Sequence, residues 1–327
     1  MNPAALILPC VGWLTTGLLV ASLHQSVDAD TYPGLPTRSQ NPLLQSYFIP
    51  AQPLVSDETW SLAHSLYITN TYQTDQNSAE QLLIDVENSR YDLQVNYRRQ
   101  AWLFNLNLSL ISNRRGFLDQ AIEDWHDFFG MPQGGRDEVE HDLIQLFYQK
   151  DGVSLVNSQA SSSGLADIQL AAGYQLTAHS QIWAAMELPS SADSAFISND
   201  ATDLAVWYSA WSRQSDRLSS HGNVGLAFPA DQGLFEGRLH DQYLFAQFGM
   251  IYRINPCYQI LLQADYHSPI VKYSDLDALE DSLQMQFALG LPRLFEDYRL
   301  DLYFSEDIAP GHAPDITFGL SLSPRLR

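Results

Sequence analysis

Alternation of apolar and polar side chains, in runs of about nine to eleven residues, is the feature that most constrains this chain. From Ala101 to Ile111, the large apolar side chains share one parity, and Asn105, Asn107 and Ser109 share the other. The pattern returns in the segments 168–176, 258–267, 298–305 and 316–323. Because successive side chains of a strand point to opposite faces, each run predicts a strand with one apolar and one polar face.

The length of these runs separates two all-β architectures. Strands of a secreted β-sandwich average roughly five to six residues. A tilted strand that crosses a bilayer needs about nine to eleven. Tyr258 and Tyr266 also end one apolar face with aromatic rings, where a membrane-facing barrel carries its interfacial girdles. The sequence therefore favours an antiparallel transmembrane β-barrel over a sandwich.

The links between the runs alternate in length, which supports the same fold. Short links such as 99–100, 177–180 and 255–257 follow long ones such as 71–80, 190–201, 230–240, 268–281 and 306–314. Outer-membrane barrels have short turns at one end and long loops at the other. The expected count is twelve strands with both termini on the periplasmic side, near residues 60–70, 81–98, 101–111, 165–176, 181–189, 202–213, 220–228, 241–254, 258–267, 282–289, 297–305 and 315–323.

Two segments could raise the count to fourteen. The apolar residues of 82–86 have the opposite parity to those of 91–97, which predicts a bulge or a hairpin near Glu87 to Arg90. The segment 143–156, folded around Lys150-Asp151-Gly152, could form a further hairpin in the wall. Fourteen strands are therefore the alternative.

Charge and composition exclude several classes of protein. Lysine and arginine number 17 against 38 aspartate and glutamate, a formal charge of −21, which excludes a surface that follows nucleic-acid phosphates. No apolar run beyond Ala29 reaches the ~18 residues of a membrane helix. Cys257 is the one cysteine after residue 29, which excludes a disulfide framework.

Four regions follow from the pattern. Residues 1–29 read as a signal peptide with an apolar stretch and a small-residue cleavage site. Residues 30–57 lack alternation and are expected to form a plug in the lumen or a periplasmic tether. Residues 58–327 form the barrel, and residues 112–164 are a long insertion within it.

The insertion contains a predicted amphipathic helix. Apolar residues recur at helical spacing from Phe117 to Phe129 and include Trp125, while acidic residues occupy the other face. Gly130 is expected to end the helix. Because the helix is acidic and interfacial helices are usually basic, a lid over the barrel mouth is favoured over contact with lipopolysaccharide or the membrane.

Three stretches resemble one family. They are the segment 41–50 with its Asn-Pro-Leu-Leu and Ile-Pro, the block from Gly116 to Arg136, and the segment from Glu306 to Leu322. These resemble an uncharacterised proteobacterial outer-membrane barrel family, catalogued as domain of unknown function 3187. The resemblance implies a barrel in a Gram-negative outer membrane and brings no activity or catalytic residues.

Candidate chemistry is sparse. Glu123, His126 and Asp127 stand at i, i+3 and i+4 of the helix, yet a solvated face explains them better than a metal or acid–base site. Neither a G-x-S-x-G motif nor a Cys/His metal-spacing motif occurs, so we expect no catalytic residues, metal or cofactor. Trp125 and His126 remain candidate contact residues of the loop helix. The residues expected to face the lumen are Asp167, Gln169, Asp203, Gln247, Arg253, Gln263, Asp265, His267, Arg299 and Asp301.

A channel or uptake barrel for small solutes is the leading functional hypothesis. A structural or surface-interaction barrel without conductance and an outer-membrane lipid-modifying hydrolase are the alternatives. The acidic excess predicts a preference for cations. Expected partners are outer-membrane lipid and lipopolysaccharide, the barrel-assembly machinery and a small solute.

Overall fold

A computed structural model describes residues 34–36, 41–50, 53, 59–130, 136, 139–190, 192–307 and 316–324. The predicted signal peptide lies outside these residues. Within these residues strand dominates, with one short α-helix and a 3-10 turn at Asp277–Leu279. The elements are β1 Trp60–Gln76, β2 Glu80–Arg99, β3 Trp102–Arg114, α1 Asp119–Phe129, β4 Gln145–Lys150, β5 Val153–Ser158, β6 Ser162–Leu165, β7 Ile168–Thr177, β8 Ser180–Leu188, β9 Asp203–Arg213, β10 Leu218–Phe228, β11 Tyr243–Asn255, β12 Tyr258–His267, β13 Ser282–Leu291, β14 Tyr298–Asp307 and β15 Ile316–Pro324.

Twelve of the strands close into an antiparallel barrel. The ring runs β1, β2, β3, then β7 to β15 in sequence order, and β15 returns to β1 with His64 opposite Leu322. Closure gives every strand of the ring two partners, which removes the exposed edges that an open sheet would have. The predicted twelve-stranded barrel is confirmed, and the fourteen-stranded alternative is wrong.

The 143–156 segment does form a hairpin, but outside the ring. Its strands, β4 and β5, extend the sheet from residues 80–85 of β2, beyond the point where β3 stops pairing. Asp151 and Gly152 both have positive φ angles, as a tight two-residue hairpin turn requires. The short strand β6 likewise pairs only with the far end of β3.

The β1–β2 hairpin continues well past the ring. The expected long loop at residues 71–80 is wrong, because the two strands stay paired to Gln76 and Gln81 around a turn at Asn77. No bulge or hairpin interrupts β2 at Glu87 to Arg90, since its register with β1 is continuous from residue 81 to residue 97. The even-numbered side chains of β2 face inward along the whole strand. These inward side chains are apolar near the turn at Asn77 and polar farther along the strand.

The outward face of the ring is apolar, as the alternation predicts. Exposed side chains on this face include Leu66, Leu110, Ile260 and Phe318. Near the end with the short turns, aromatic rings form a continuous belt, with ring centroids 4.5 to 6.4 Å apart, made by Trp60, Tyr97, Phe104, Trp102 and Tyr174. In the described part of the chain, no helix is long and apolar enough to cross a membrane.

Inward-facing glycines make room for large side chains of the next strand. A Cβ on Gly173 would lie 2.6 Å from the Trp183 ring. One on Gly225 would lie 2.6 Å from the Phe245 ring and closer still to the Cβ of Trp207 and the carbonyl oxygen of Val206. These rings therefore lie against bare backbone of the wall.

We expect Gly225→Ala to destabilise the barrel by about 1–3 kcal/mol, because the new methyl group overpacks against both backbone and rings. Urea unfolding followed by tryptophan fluorescence measures the change. Gly164→Ala in β6 is the control, since the nearest atom to its Cβ would be 3.7 Å away. Equal unfolding midpoints for both variants would contradict the packing role of Gly225.

Candidate functional site: the barrel lumen

Polar side chains cover most of the inner wall on β2, β3 and β12 to β15. Side-chain amides form hydrogen bonds to one another across strands. Asn105 Nδ2 donates to Asn96 Oδ1 at 2.8 Å, and Gln263 Nε2 donates to Gln286 Oε1 at 2.9 Å. Serine and threonine hydroxyls pair across β1 and β15 in the same way. Buried polar groups need such partners, and the cross-strand register supplies them.

Two buried ion pairs lie within this polar wall. Arg299 donates to both carboxylate oxygens of Asp301, at 2.9 and 2.6 Å. Arg90 donates to Asp92 at 2.9 Å and to the hydroxyl of Ser109 at 2.9 Å. In each pair the residues stand two apart on one strand, so the strand itself holds both charges on the inner face. Their charges neutralise each other locally.

The inner wall of β7 to β11 is different, because alanine, glycine and aromatic residues interrupt its polar side chains. The rings of Trp183 and Trp207 stack at 5.7 Å with an interplanar angle of 6°, and Phe245 packs edge-on against Trp207 at 6.2 Å. Ala185 and Ala205 are the small residues beside them. The lumen therefore has a polar side and an apolar side.

An N-terminal segment lies inside this lumen. Leu35 is fully buried; its backbone N–H donates to Gln263 Oε1 at 2.9 Å, and its carbonyl accepts from Gln247 and Gln263. The next carbonyl, of Pro36, accepts from the hydroxyl of Tyr67 at 2.7 Å. Tyr67 is on β1, whereas Gln247 and Gln263 are on β11 and β12, so these few residues bridge separate parts of the ring.

Residues 41–50 cross the lumen again, at the end with the long loops. Gln45 exchanges hydrogen bonds with Asn113 and Asn88, on the inner faces of β3 and β2. Phe48 accepts a hydrogen bond through its carbonyl from Tyr243 on β11, nearly opposite in the ring. We call residues 34–36 and 41–50 the lumen segment.

The lumen segment also completes an apolar cluster at the mouth. Leu43, Leu44 and Phe48 are buried, and the cluster includes residues 82–86 of β2 and the loop side chains Phe235 and Ile270. This packing explains why the inner face of β2 becomes apolar beyond the ring. Beside Pro50, a cavity of about 30 Å³ lies against the wall, which is enough space for a water molecule.

Tyr47 anchors the lumen segment to the loop between β10 and β11. Its hydroxyl accepts from the Phe235 N–H at 2.8 Å and lies 3.3 Å from the Gln232 carbonyl. Burial raises the pKa of Tyr47, with smaller contributions from Asp203 and Asp231, and these outweigh the Phe235 hydrogen bond that lowers the pKa. The hydroxyl therefore stays protonated and keeps its donor role.

All ten predicted lumen residues have the inward parity of their strands. Eight of them are buried, whereas Arg253 and Asp265 are half-buried. They are not grouped at one place, because Arg253 lies near the short turns and His267 near the long loops. Three of the ten contact the lumen segment directly: Gln247 and Gln263 bond to Leu35, and Asp203 accepts from the backbone of Phe48.

Two of the ten, Asp167 and Asp203, hold loops in place. Asp167 accepts from the backbone N–H groups of Ser190 and Asn199, at 2.9 and 3.2 Å. Asp203 accepts from Asn199 Nδ2 and from the Ala230 N–H, both at 2.8 Å. Burial raises the pKa of Asp167 more than these hydrogen bonds lower it. Through these hydrogen bonds to loop residues, both side chains position the loops at the mouth.

Helix α1 does not cover the mouth, so the lid prediction is wrong. Its first residue, Asp119, accepts from Asn70 Nδ2 at 2.8 Å and from Arg136 Nη1 at 2.5 Å. Asn70 pairs with Glu87, and both have the parity of the exposed outer face. The Phe117 N–H donates to Glu87 at 3.1 Å. The helix thus packs on the outside of the β1–β2 hairpin, and Gly130 ends it with a φ of 68° as expected.

The predicted helix residues do not form one cluster. Trp125 is half exposed and His126 half-buried, while Glu123 bonds to Nε2 of His141 at 2.8 Å. Among the described residues, no group of three or more His, Cys, Asp or Glu side chains is placed to hold a metal ion.

Sequence reasoning missed the lumen contacts of Leu35, Gln45 and Tyr47, and the stacked pair Trp183 and Trp207. The short apolar stretch from Leu43 to Ile49 was the available signal for a buried segment. Nothing local in the sequence links Leu35 to Gln263, which is 228 positions away.

We expect Gln263→Leu to loosen the lumen segment, because it leaves the buried N–H of Leu35 without its acceptor at a cost of about 1–3 kcal/mol. The measurement is the rate at which a thiol reagent modifies Leu35→Cys in a Cys257→Ser background. Gln259→Leu, on the same face of β12, is the matched control. If both substitutions change the rate equally, the Gln263 hydrogen bonds do not hold the segment.

The fold is similar to that of a solved outer-membrane channel. The chain is similar to the COG4313 outer membrane channel from Pseudomonas putida F1, with a TM-score of 0.54, 11% identity, and coverage of 85% of this chain and 99% of that one. The toluene transporter TodX of P. putida matches with a TM-score of 0.42 and 12% identity, over 88% of this chain and 93% of that one. At such identities the first likeness shows the fold alone.

No protein with a curated description matches the chain significantly. A family model described as "Protein of unknown function (DUF3187)" matches residues 12–326. The match covers nearly the whole chain, including the lumen segment, all the strands of the ring and the outer helix. The chain belongs to the DUF3187 family.

Proposed function

We propose that this protein is an outer-membrane channel for small solutes, and that the lumen segment closes it in the conformation described above. The observation that carries the proposal is the way the segment is held. Leu35 and Phe48 bond to wall side chains through backbone groups, and no strand of the ring depends on either residue for its pairing. Such a segment can leave without opening the wall.

The outer surface supports the location. Its apolar outward side chains and its aromatic belt at Trp60 and Tyr97 are what a barrel in lipid requires. The short turns would lie in the periplasm and the long loops outside the cell. Assembly would then depend on the barrel-assembly machinery, and the surface would contact outer-membrane lipid and lipopolysaccharide.

The inner surface supports passage of a solute with both polar and apolar parts. Ladders of amides line one side, and the Trp183–Trp207 pair lies on the other. Inward acidic residues such as Asp265 and Glu187 favour cations over anions. The buried pairs at Arg90 and Arg299 contribute little to selectivity, because each is neutralised on its own strand.

A barrel without conductance is the second candidate, and the lumen segment favours it. If the segment never leaves, the lumen stays blocked and the long loops become the functional surface. The hydrolase alternative requires a Ser–His pair at a lipid-facing rim. His64 is an outward-facing candidate for the histidine. Its Nδ1 lies 2.7 Å from the hydroxyl of Tyr91 on the neighbouring strand, so its partner is a tyrosine and not a serine.

Conductance of the protein in planar bilayers tests the proposal. We expect Leu43→Asp combined with Leu44→Asp to raise single-channel conductance several-fold, because two carboxylates cannot remain in the apolar cluster of the mouth. A salt gradient across the bilayer should give a reversal potential of the sign expected for cations.

Val153→Asp is the control, since Val153 is exposed in the β4–β5 hairpin and its change should leave conductance as in the unaltered protein. Heat-modifiable migration in detergent gels confirms that each variant is a folded barrel. The Leu35→Cys probe reports whether the lumen segment has left the wall. Folded variants in which a thiol reagent modifies this cysteine but which conduct no ions would overturn the channel and favour the non-conducting barrel.

A further inference from the structure

Helix α1 has three separate faces. Asp119 and Ile122 are buried, on the side of the helix that faces the wall. Gln120, Asp124 and Asp127 form an exposed polar stripe. A third stripe is apolar and exposed, at the positions i, i+4 and i+7 occupied by Ala121, Trp125 and Phe128. Residues at this spacing lie above one another on a helix, so these exposed side chains make one continuous surface. Phe117 precedes the helix, and the guanidinium of Arg114 lies over its ring, 5.8 Å from the centroid.

The exposure of these rings is large for a protein in water. Phe128 is 81% exposed, Phe117 60% and Trp125 50%. A contiguous exposed apolar patch marks a place of contact with another molecule or with a membrane.

The contacts of the helix place this surface outside the barrel. Asp119 bonds to Asn70, and the backbone of Phe117 bonds to Glu87; both partners belong to the outward face. Asn70 is 3% exposed and Glu87 is fully buried, whereas Leu66 and Tyr91, two positions nearer the short turns on the same face, are exposed. The helix therefore begins where the exposed apolar band of β1 and β2 ends.

The position of the helix along the barrel axis matches one boundary of a membrane. Trp60, in the aromatic belt, and Asn70 are ten residues apart on β1. A strand rises about 3.3 Å per residue, and a tilt of about 40° makes that separation roughly 25 Å along the barrel axis. The apolar band of an outer-membrane barrel is about 25 Å tall. If the belt marks one boundary of the bilayer, α1 lies at the other.

We propose that α1 is an interfacial anchor whose Trp125 and Phe128 side chains insert into the outer boundary of the bilayer beside the wall. The occupant of the apolar stripe is lipid, because the stripe continues the lipid-facing band. The acidic stripe of Asp124 and Asp127 then faces water or the headgroups. This inference rests on the proposed location of the barrel in a membrane.

Paired positions on the helix test the anchor. In a Cys257→Ser background, Phe128→Cys and Asp127→Cys carry the same environment-sensitive fluorophore in the full-length protein. The protein is reconstituted in phosphatidylcholine vesicles that contain nitroxide-labelled phosphatidylcholine, and aqueous iodide is the second quencher. A label at Phe318→Cys, in the exposed band of β15, reports insertion of the barrel itself.

We expect the lipid-bound nitroxide to quench the label at position 128 at least about twofold more than the label at position 127, and iodide to give the opposite order. Equal quenching at both positions, with position 318 quenched by lipid, would overturn the anchor and leave the barrel in the membrane. If position 318 also escapes the lipid quencher, the membrane location fails and the anchor fails with it.

Discussion

Pairing between β1 and β15 is the interaction on which the rest of this structure depends. It joins residues 64–70 to residues 316–322 across almost the whole length of the chain and turns an open sheet into a ring. Closure satisfies every backbone group of the wall, so the outer face needs only apolar side chains. It also creates an interior that side chains, water or another segment must fill. The polar ladders and the lumen segment fill this interior, and the inward glycines leave space for large rings.

Filling of the interior differs along the barrel axis. Within the ring, amides and two ion pairs bond across strands, while glycine backbone accommodates the rings of Trp183 and Phe245. Beyond the ring, β1 and β2 continue with β4 and β5 as an open sheet, whose inner face needs a core like that of a soluble protein. Residues 41–50 and the loops supply it. The lumen segment thus serves the stability of the mouth as well as its closure.

The same reasoning explains the errors of the sequence analysis. Residues 82–86 and 91–97 look like a change of parity because apolar side chains move from the inner face to the outer one, while the backbone register stays continuous. The acidic composition of α1 suggested a lid, but the helix buries the charged Asp119 on its wall side and exposes an apolar stripe at Trp125 and Phe128. The total charge of such a helix does not say which of its faces meets the wall.

The sequence by itself determined the fold class and favoured twelve strands over fourteen, because period-two alternation depends on local geometry alone. It also located α1 and its end at Gly130. Only the tertiary structure decided what occupies the lumen and which side of the wall the helix takes. Those outcomes rest on pairs such as Leu35 with Gln263 and Asn70 with Asp119, 228 and 49 positions apart, and a local pattern carries no information about contacts at such separations.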